Sequence, residues 1–274
     1  MYSMNCAPDV KVSSKCKSCF NKNDLLKIIK SYNKKNPKDK ISIKNKNQVQ
    51  LWNDIRKKLS SSCNKEICWL DQDFIKSNKS SLIEKFKPKY PDEWKKNKHT
   101  WLSTTDINKV MIQYEKLYKN FSFFGPVPVD CPNGIHCELS NLDPIHLRKS
   151  KNINLIGIVF NLDYHYQSGS HWVALVIDTN KSPYYVDFFD SYGEEPHELI
   201  KKFMDKMTSK LEKENKTIQI YNDKRHQFGN SECGIYSMNY ILERLKGKSP
   251  SQLTKKIIKD SVMNEMRKYL YRYN

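Results

Sequence analysis

The chain has 274 residues, 38% of them hydrophobic, with five Trp, sixteen Tyr and eleven Phe, enough for one large domain or a core with an appendage. No run of about eighteen apolar residues occurs, which excludes a membrane-spanning helix, and the opening Met1-Tyr2-Ser3-Met4-Asn5-Cys6 lacks the apolar stretch of a secretory leader, so an intracellular protein is expected. The formal charge of +18 is a lysine charge, six of 48 basic residues being Arg; it suits non-specific nucleic-acid association through a basic surface, not a base-reading module.

In chain order, residues 1–97 read as a small, mostly helical N-terminal domain. Helical stretches run over Asp24–Lys30 and Val49–Ile55, separated by Lys-, Ser- and Asn-rich connectors. Lys87–Lys96, with two prolines and a charge run, reads as a linker. Without a leader, the eight cysteines are expected to be thiols rather than disulfides. Cys16-x-x-Cys19 and Cys63-x4-Cys68 offer four zinc ligands in principle, but the pairs lie far apart without a knuckle pattern. Structural thiols are the preferred reading, and no metal or cofactor is predicted.

From about residue 98 the texture changes to alternating strands and helices, a second domain over 98–274. Trp101–Ile107 opens a helix, capped by Thr104 or Thr105, with Ile107, Met111, Tyr114 and Leu117 at helical spacing. Leu155–Phe160 and Trp172–Ile177 are continuous apolar runs, hence central strands covered on both faces. Tyr184–Phe189 and Thr217–Tyr221 make two more strands. Between them Pro196–Asn215 is a helix with Ile200, Phe203, Met204, Met207 and Leu211 on one face. A helix opens at Cys233 and stops at Gly247, and a last one covers about Ser251–Tyr271. The fold class is α+β, a mixed sheet flanked by helices.

Cys233, before Gly234, sits where a helix dipole favours thiolate and a backbone N–H can bind an oxyanion. A buried structural cysteine is the commoner fate of such a residue, so its partners decide the matter. His171 follows the small Ser168-Gly169-Ser170 at the head of a buried strand, where an imidazole is held on a fixed backbone. Asp190 ends the next strand and can fix the imidazole tautomer, with Asp187 as rival. Three positions apart on a strand they face opposite sides, so one of them serves. Gln227 lies six residues before Cys233 and supplies an amide donor; His226 beside it is a competing base.

His171-Trp172, Asp190-Ser191 and Gln227-x5-Cys233-Gly234, in that order, resemble the cysteine proteases that process ubiquitin-like modifiers (deSUMOylases) and the adenovirus maturation protease. The order is the reverse of papain, whose nucleophile comes first. Trp101–Ile107 resembles their Trp-Leu-x-Asp-x-x-Ile helix, with Ser103-Thr104 at the usual acidic position. The likeness is greatest to the polyprotein-processing proteases of large nucleocytoplasmic DNA viruses, of the African swine fever and mimivirus types. It rests on Arg225-His226-Gln227, Glu232-Cys233-Gly234, Ser170–Ala174, the gap of nineteen from His171 to the acid, and Phe124–Asp130. That gap favours Asp190; some members of the branch carry Asn there. Cys63-x4-Cys68 is similar to the arm domain of the African swine fever type.

The resemblance implies a papain-like cysteine protease core of the SUMO-protease/adenovirus-protease type over 98–274. Cys233 is then nucleophile, His171 base, Asp190 its orienting acid and Gln227 an oxyanion donor, with Trp101 and Trp172 walling a channel for Gly-Gly-type sequences. The expected partner is a protein substrate, a viral structural polyprotein or a ubiquitin-like modifier, and the expected place is the virion or the host cytoplasm. An acyltransferase on the same fold and a catalytically idle, basic DNA-packaging protein are the alternatives.

Overall fold

The computed structural model describes residues 5–12, 16–97, 99–133 and 137–273, so the leader reading of Met1–Met4 falls outside the described residues. The chain divides into two compact units, Met1–Lys89 with Leu270–Asn274, and Tyr90–Tyr269. The change in sequence texture at 97/98 comes later than this division. Lys87–Lys96 is not a plain linker: Asp92–Lys95 forms a 3-10 turn, and Trp94 is buried with the Arg267 guanidinium 4.5 Å from its ring centre.

The first unit is helical, with α1 (Lys22–Lys35), α2 (Gln48–Leu59), α3 (Glu66–Trp69) and α4 (Lys79–Ile83). Asn21 with Asp24, and Asn47 with Gln50, form capping boxes that start the two long helices. Leu25, Ile28, Ile29 and Tyr32 of α1 and Leu51, Ile55 and Leu59 of α2 then bury one stripe each around Phe20, Trp69 and Phe86.

The expectation of thiols is overturned at three places. Cys6–Cys19, Cys63–Cys68 and Cys131–Cys137 are disulfides, with Cα separations of 5.2, 6.0 and 5.4 Å. Sequence separations of 13, 5 and 6 keep the partners of each pair within bonding range. Cys16 and Cys233 remain thiols, and with Cys19, Cys63 and Cys68 bonded, the two-pair zinc set does not exist.

The second unit contains α5 (Thr104–Leu117), β1 (Phe121–Pro128), α6 (Pro144–Lys151), β2 (Leu155–Asn161), β3 (Trp172–Asp178), β4 (Tyr184–Phe189), α7 (Glu198–Leu211), β5 (Thr217–Tyr221), α8 (Cys233–Leu245), α9 (Pro250–Thr254) and α10 (Asp260–Leu270). Its five strands lie in the order β1-β2-β3-β4-β5. The β1–β2 and β4–β5 pairs are parallel, while β2–β3 and β3–β4 are antiparallel, so the sheet is mixed as expected. Alternate side chains of β2, β3 and β4, among them Ile158, Leu175 and Val186, pack with Ile200, Phe203, Met204, Met207 and Leu211 of α7. The opposite face carries α8, which comes so close that a Cβ on Gly157 would lie 2.8 Å from Ile241 Cγ2.

Three details differ from the sequence reading. Ser103, not Thr104 or Thr105, caps α5, because Asp106 three residues on completes its capping box. The edge strand β1 is absent from the reading. The helix expected over 251–271 is broken into α9 and α10, since Ile258 and Asp260 are engaged elsewhere: the Ile258 N–H donates to His226 Nδ1 at 3.2 Å, and Asp260 Oδ2 accepts from the Phe228 and Gly229 N–H groups at 2.9 and 2.7 Å.

Candidate active site

The antiparallel pairing of β3 with β4 sets Ala174 opposite Phe189, so the residue before β3 and the residue after β4 meet at one end of the sheet. There His171 Nε2 lies 2.7 Å from Asp190 Oδ1, both side chains almost wholly buried. Asp190 is held in its own right. Its Oδ1 accepts the Tyr192 N–H at 2.8 Å, its N–H donates to Asn222 Oδ1 at 2.8 Å, and its carbonyl accepts from Asn222 Nδ2 at 2.7 Å. Buried Asn222, just past β5, thus clamps the acid's backbone from both sides. The Tyr192 ring stacks on the imidazole with centres 4.7 Å apart and planes 18° from parallel.

Cys233 is buried at the first position of α8, where Glu232 provides no side-chain cap, and its thiol is close enough to His171 to help raise the pKa of the ring. With Nε2 taken by Asp190, Nδ1 is the ring nitrogen left for the sulfur. The helix start is fixed by a close fit: a Cβ on Gly234 would lie 3.1 Å from Leu102 Cδ1 and 3.2 Å from Trp172 Cδ1. Trp172 donates its indole N–H to the Leu102 carbonyl at 2.9 Å, and its own carbonyl accepts from Ser237 Oγ at 3.0 Å. Trp101, next to Leu102, is 45% exposed.

Gln227 is fully buried on the loop before α8. Its Oε1 accepts from Ser191 Oγ at 2.7 Å, and its Nε2 donates to the Gly229 carbonyl at 3.1 Å. The rivals are placed away from this cluster. Asp187 faces α8, where Tyr240 Oη donates to it at 2.7 Å and Arg244 Nε at 3.1 Å. His226 packs against Phe189, and burial, with Lys224 adding to it, holds its pKa below the ordinary value. The structure therefore gathers His171, Asp190 and Cys233 into one buried cluster, His171 hydrogen-bonded to Asp190 and Cys233 acting on the same ring, with Trp172 packed at Gly234. Sequence reading misses Asn222, for which a lone Asn after a strand gives no signal, and Tyr192 as a stacking partner.

Burial works to depress the His171 pKa, but the hydrogen bonds and charges of Asp190 and Cys233 outweigh it and raise the value from 6.5 to about 9. A folded value above the unfolded one means the pair stabilises the protein fully below pH 6.5 and loses that contribution as pH climbs through about 9. An NMR titration of the His171 ring should accordingly show a midpoint near 9 in the native protein. In Asp190→Asn the midpoint should drop, because burial remains and the anionic partner is gone; an unmoved midpoint would remove Asp190 from this account. A thiol beside an imidazole that is itself held by a carboxylate is an arrangement for nucleophilic attack on a carbonyl.

Residues 143–274, which contain His171, Asp190, Gln227 and Cys233, match the Ulp1 protease family, C-terminal catalytic domain. A thiol protease of Acanthamoeba polyphaga mimivirus is 32% identical over 277 residues, spanning 93% of this chain and 89% of the relative. The SUMO-1 cysteine protease of African swine fever virus is 24% identical over 243 residues, spanning 82% of this chain and 89% of the relative. A crystal structure of an African swine fever virus protease matches 98% of this chain and 96% of its own with a TM-score of 0.73 at 22% identity, which shows a common fold. With a thiol at a helix start, an imidazole held by an aspartate beside it and a relative at this level of identity, the chain belongs to the Ulp1 family of cysteine proteases.

Proposed function

We propose that this protease is an endopeptidase that cuts after Gly-Gly-type sequences in viral structural polyproteins during virion maturation. The observation that carries the chemistry is the His171–Asp190 hydrogen bond at 2.7 Å with Cys233 acting on the same ring from the start of α8. Cys233 passes its proton to His171 Nδ1 and the sulfur attacks the scissile carbonyl. The proton then goes to the leaving amine, and water attacks the thioester with His171 as base. Asp190 holds the ring in the right tautomer throughout. The Cys233 N–H and the Gln227 amide receive the oxyanion, a contribution of about 3–4 kcal/mol in comparable sites.

Close packing beside Cys233 supports a Gly-Gly substrate. Trp172, tethered to Leu102 and packed at Gly234, closes one side, and Trp101 is the exposed aromatic next to that tether. The viral source of the relatives supports the polyprotein reading and, with it, action in the virion or the host cytoplasm. The +18 charge suits non-specific nucleic-acid association in such a particle. Removal of a ubiquitin-like modifier is the second reading, favoured by the SUMO-1 in the name of the African swine fever virus relative.

One assay separates them. The protease is offered a polyprotein fragment holding a Gly-Gly-X site, and in parallel a ubiquitin-like C-terminal probe, with cut sites mapped by mass spectrometry. Scission after Gly-Gly in the fragment, lost by at least about tenfold when the first Gly becomes Ala, is the expected result. Labelling by the probe with an intact fragment would replace the first reading by the second.

A further inference from the structure

We propose that Ser191 is the residue that sets the direction of the Gln227 amide, so that one turn orients both the base and the oxyanion donor. The inference rests on the reading of Gln227 as that donor. A buried amide can be seated in two ways, with its oxygen and nitrogen exchanged. Here the neighbours discriminate. The Gly229 carbonyl can only accept, so the amide nitrogen faces it at 3.1 Å, and Oε1 is left to receive the Ser191 hydroxyl proton at 2.7 Å. Ser191 also holds the backbone of the same segment, its carbonyl accepting the N–H groups of His226 and Gln227, each at 2.8 Å.

The second proton on Gln227 Nε2 has a looser hold. It meets Tyr192 Oη at 3.4 Å, beyond the usual hydrogen-bond length, while that hydroxyl donates to the Gly229 carbonyl at 3.1 Å. That proton is the one able to turn to a negative oxygen as it develops. Asp190, Ser191 and Tyr192 are consecutive, and each touches the chemistry. Asp190 binds the His171 ring, Ser191 binds the Gln227 amide oxygen, and Tyr192 stacks on the first ring while meeting the second side chain. Ser191 is itself 1% exposed, so water cannot replace its hydroxyl without a rearrangement. Without that hydroxyl Oε1 is a buried acceptor lacking its donor, and the amide is free to swing.

The test compares Ser191→Thr with Ser191→Val, which have the same shape and differ in the hydroxyl, alongside Ser191→Ala. Any packing fault from the added methyl burdens Thr and Val alike. Val and Ala are expected to lower kcat about tenfold relative to Thr, with KM within about twofold, since the group acts in the transition state. The His171 titration midpoint should stay where it is in the native protein. Adding Ser191→Ala to Gln227→Ala should cost nothing further, because the partner through which Ser191 acts is already gone. Equal activity in Thr and Val, or an equal loss from Ser191→Ala with and without Gln227, overturns the proposal. A native kcat in Gln227→Ala overturns it as well and removes the amide from the oxyanion site, while the protease reading itself stands or falls on Cys233.

Discussion

Cys233→Ala is expected to abolish cleavage of a Gly-Gly-X peptide, a fall in kcat of about 10⁵-fold or more, with the folded structure retained. The size follows from the chemistry: without the sulfur no thioester forms, and the remaining groups can only assist direct attack by water. Retention of the fold follows from the packing. The thiol is one small side chain at a helix start whose position is set by Gly234, Leu102 and Trp172. A second readout comes from His171, which loses one of its two partners, so its midpoint should fall below the native value of about 9. The comparison is made by single-turnover kinetics with mass-spectrometric detection of an acyl-enzyme. Undiminished cleavage in the variant would end the assignment of Cys233 as nucleophile.

The second large effect is a contrast between two aspartates three residues apart. Asp190→Ala should cut kcat by about 10² to 10⁴-fold, because the imidazole loses its tautomer lock and its anionic partner. Asp187→Ala should leave kcat near native in the protein that remains folded, and instead reduce stability. Asp187 is wholly buried with Tyr240 and Arg244, and Arg244 is 3% exposed. Removing the carboxylate strips a buried guanidinium of its main counter-charge, which costs about 3 kcal/mol or more; Asp178, 2.9 Å from Nη2, retains part of the balance. Denaturant melts beside kinetics on both variants decide the matter. A catalytic defect confined to Asp187→Ala would reverse the assignment.

The central strands and the start of the Cys233 helix were readable from the chain because each depends on its own neighbours. Leu155–Phe160 and Trp172–Ile177 are apolar on both faces, and a strand covered on both sides must be so. The Cys233 helix begins at Cys233 because a run of apolar residues at helical spacing follows it. Features that depend on partners distant in sequence were not readable. β1 holds Pro126 and Pro128, which read as breakers, yet its place at the sheet edge leaves room for them. The choice between Asp187 and Asp190 needed the family likeness, because strand alternation says that one of them faces the base without saying which. At the break between α9 and α10 the Ile258 N–H is given to His226 Nδ1, and Asp260, the first residue of α10, has its side chain held by the Phe228 and Gly229 N–H groups. The disulfides were misread because the expectation of an intracellular chain outweighed the short sequence separations of 13, 5 and 6 within the three pairs.

The sheet's spatial order repeats its order along the chain, and this divides the assembly of the site into an early and a late stage. His171 and Asp190 meet through one hairpin, β3 with β4, a contact of low sequence separation and small closure entropy. Cys233 joins them by way of α8, which lies beyond α7 and β5 and must dock across β3 before its thiol reaches the ring. The His171–Asp190 pair therefore depends on one local hairpin, and the approach of Cys233 to it depends on the packing of a helix more than forty residues further along the chain.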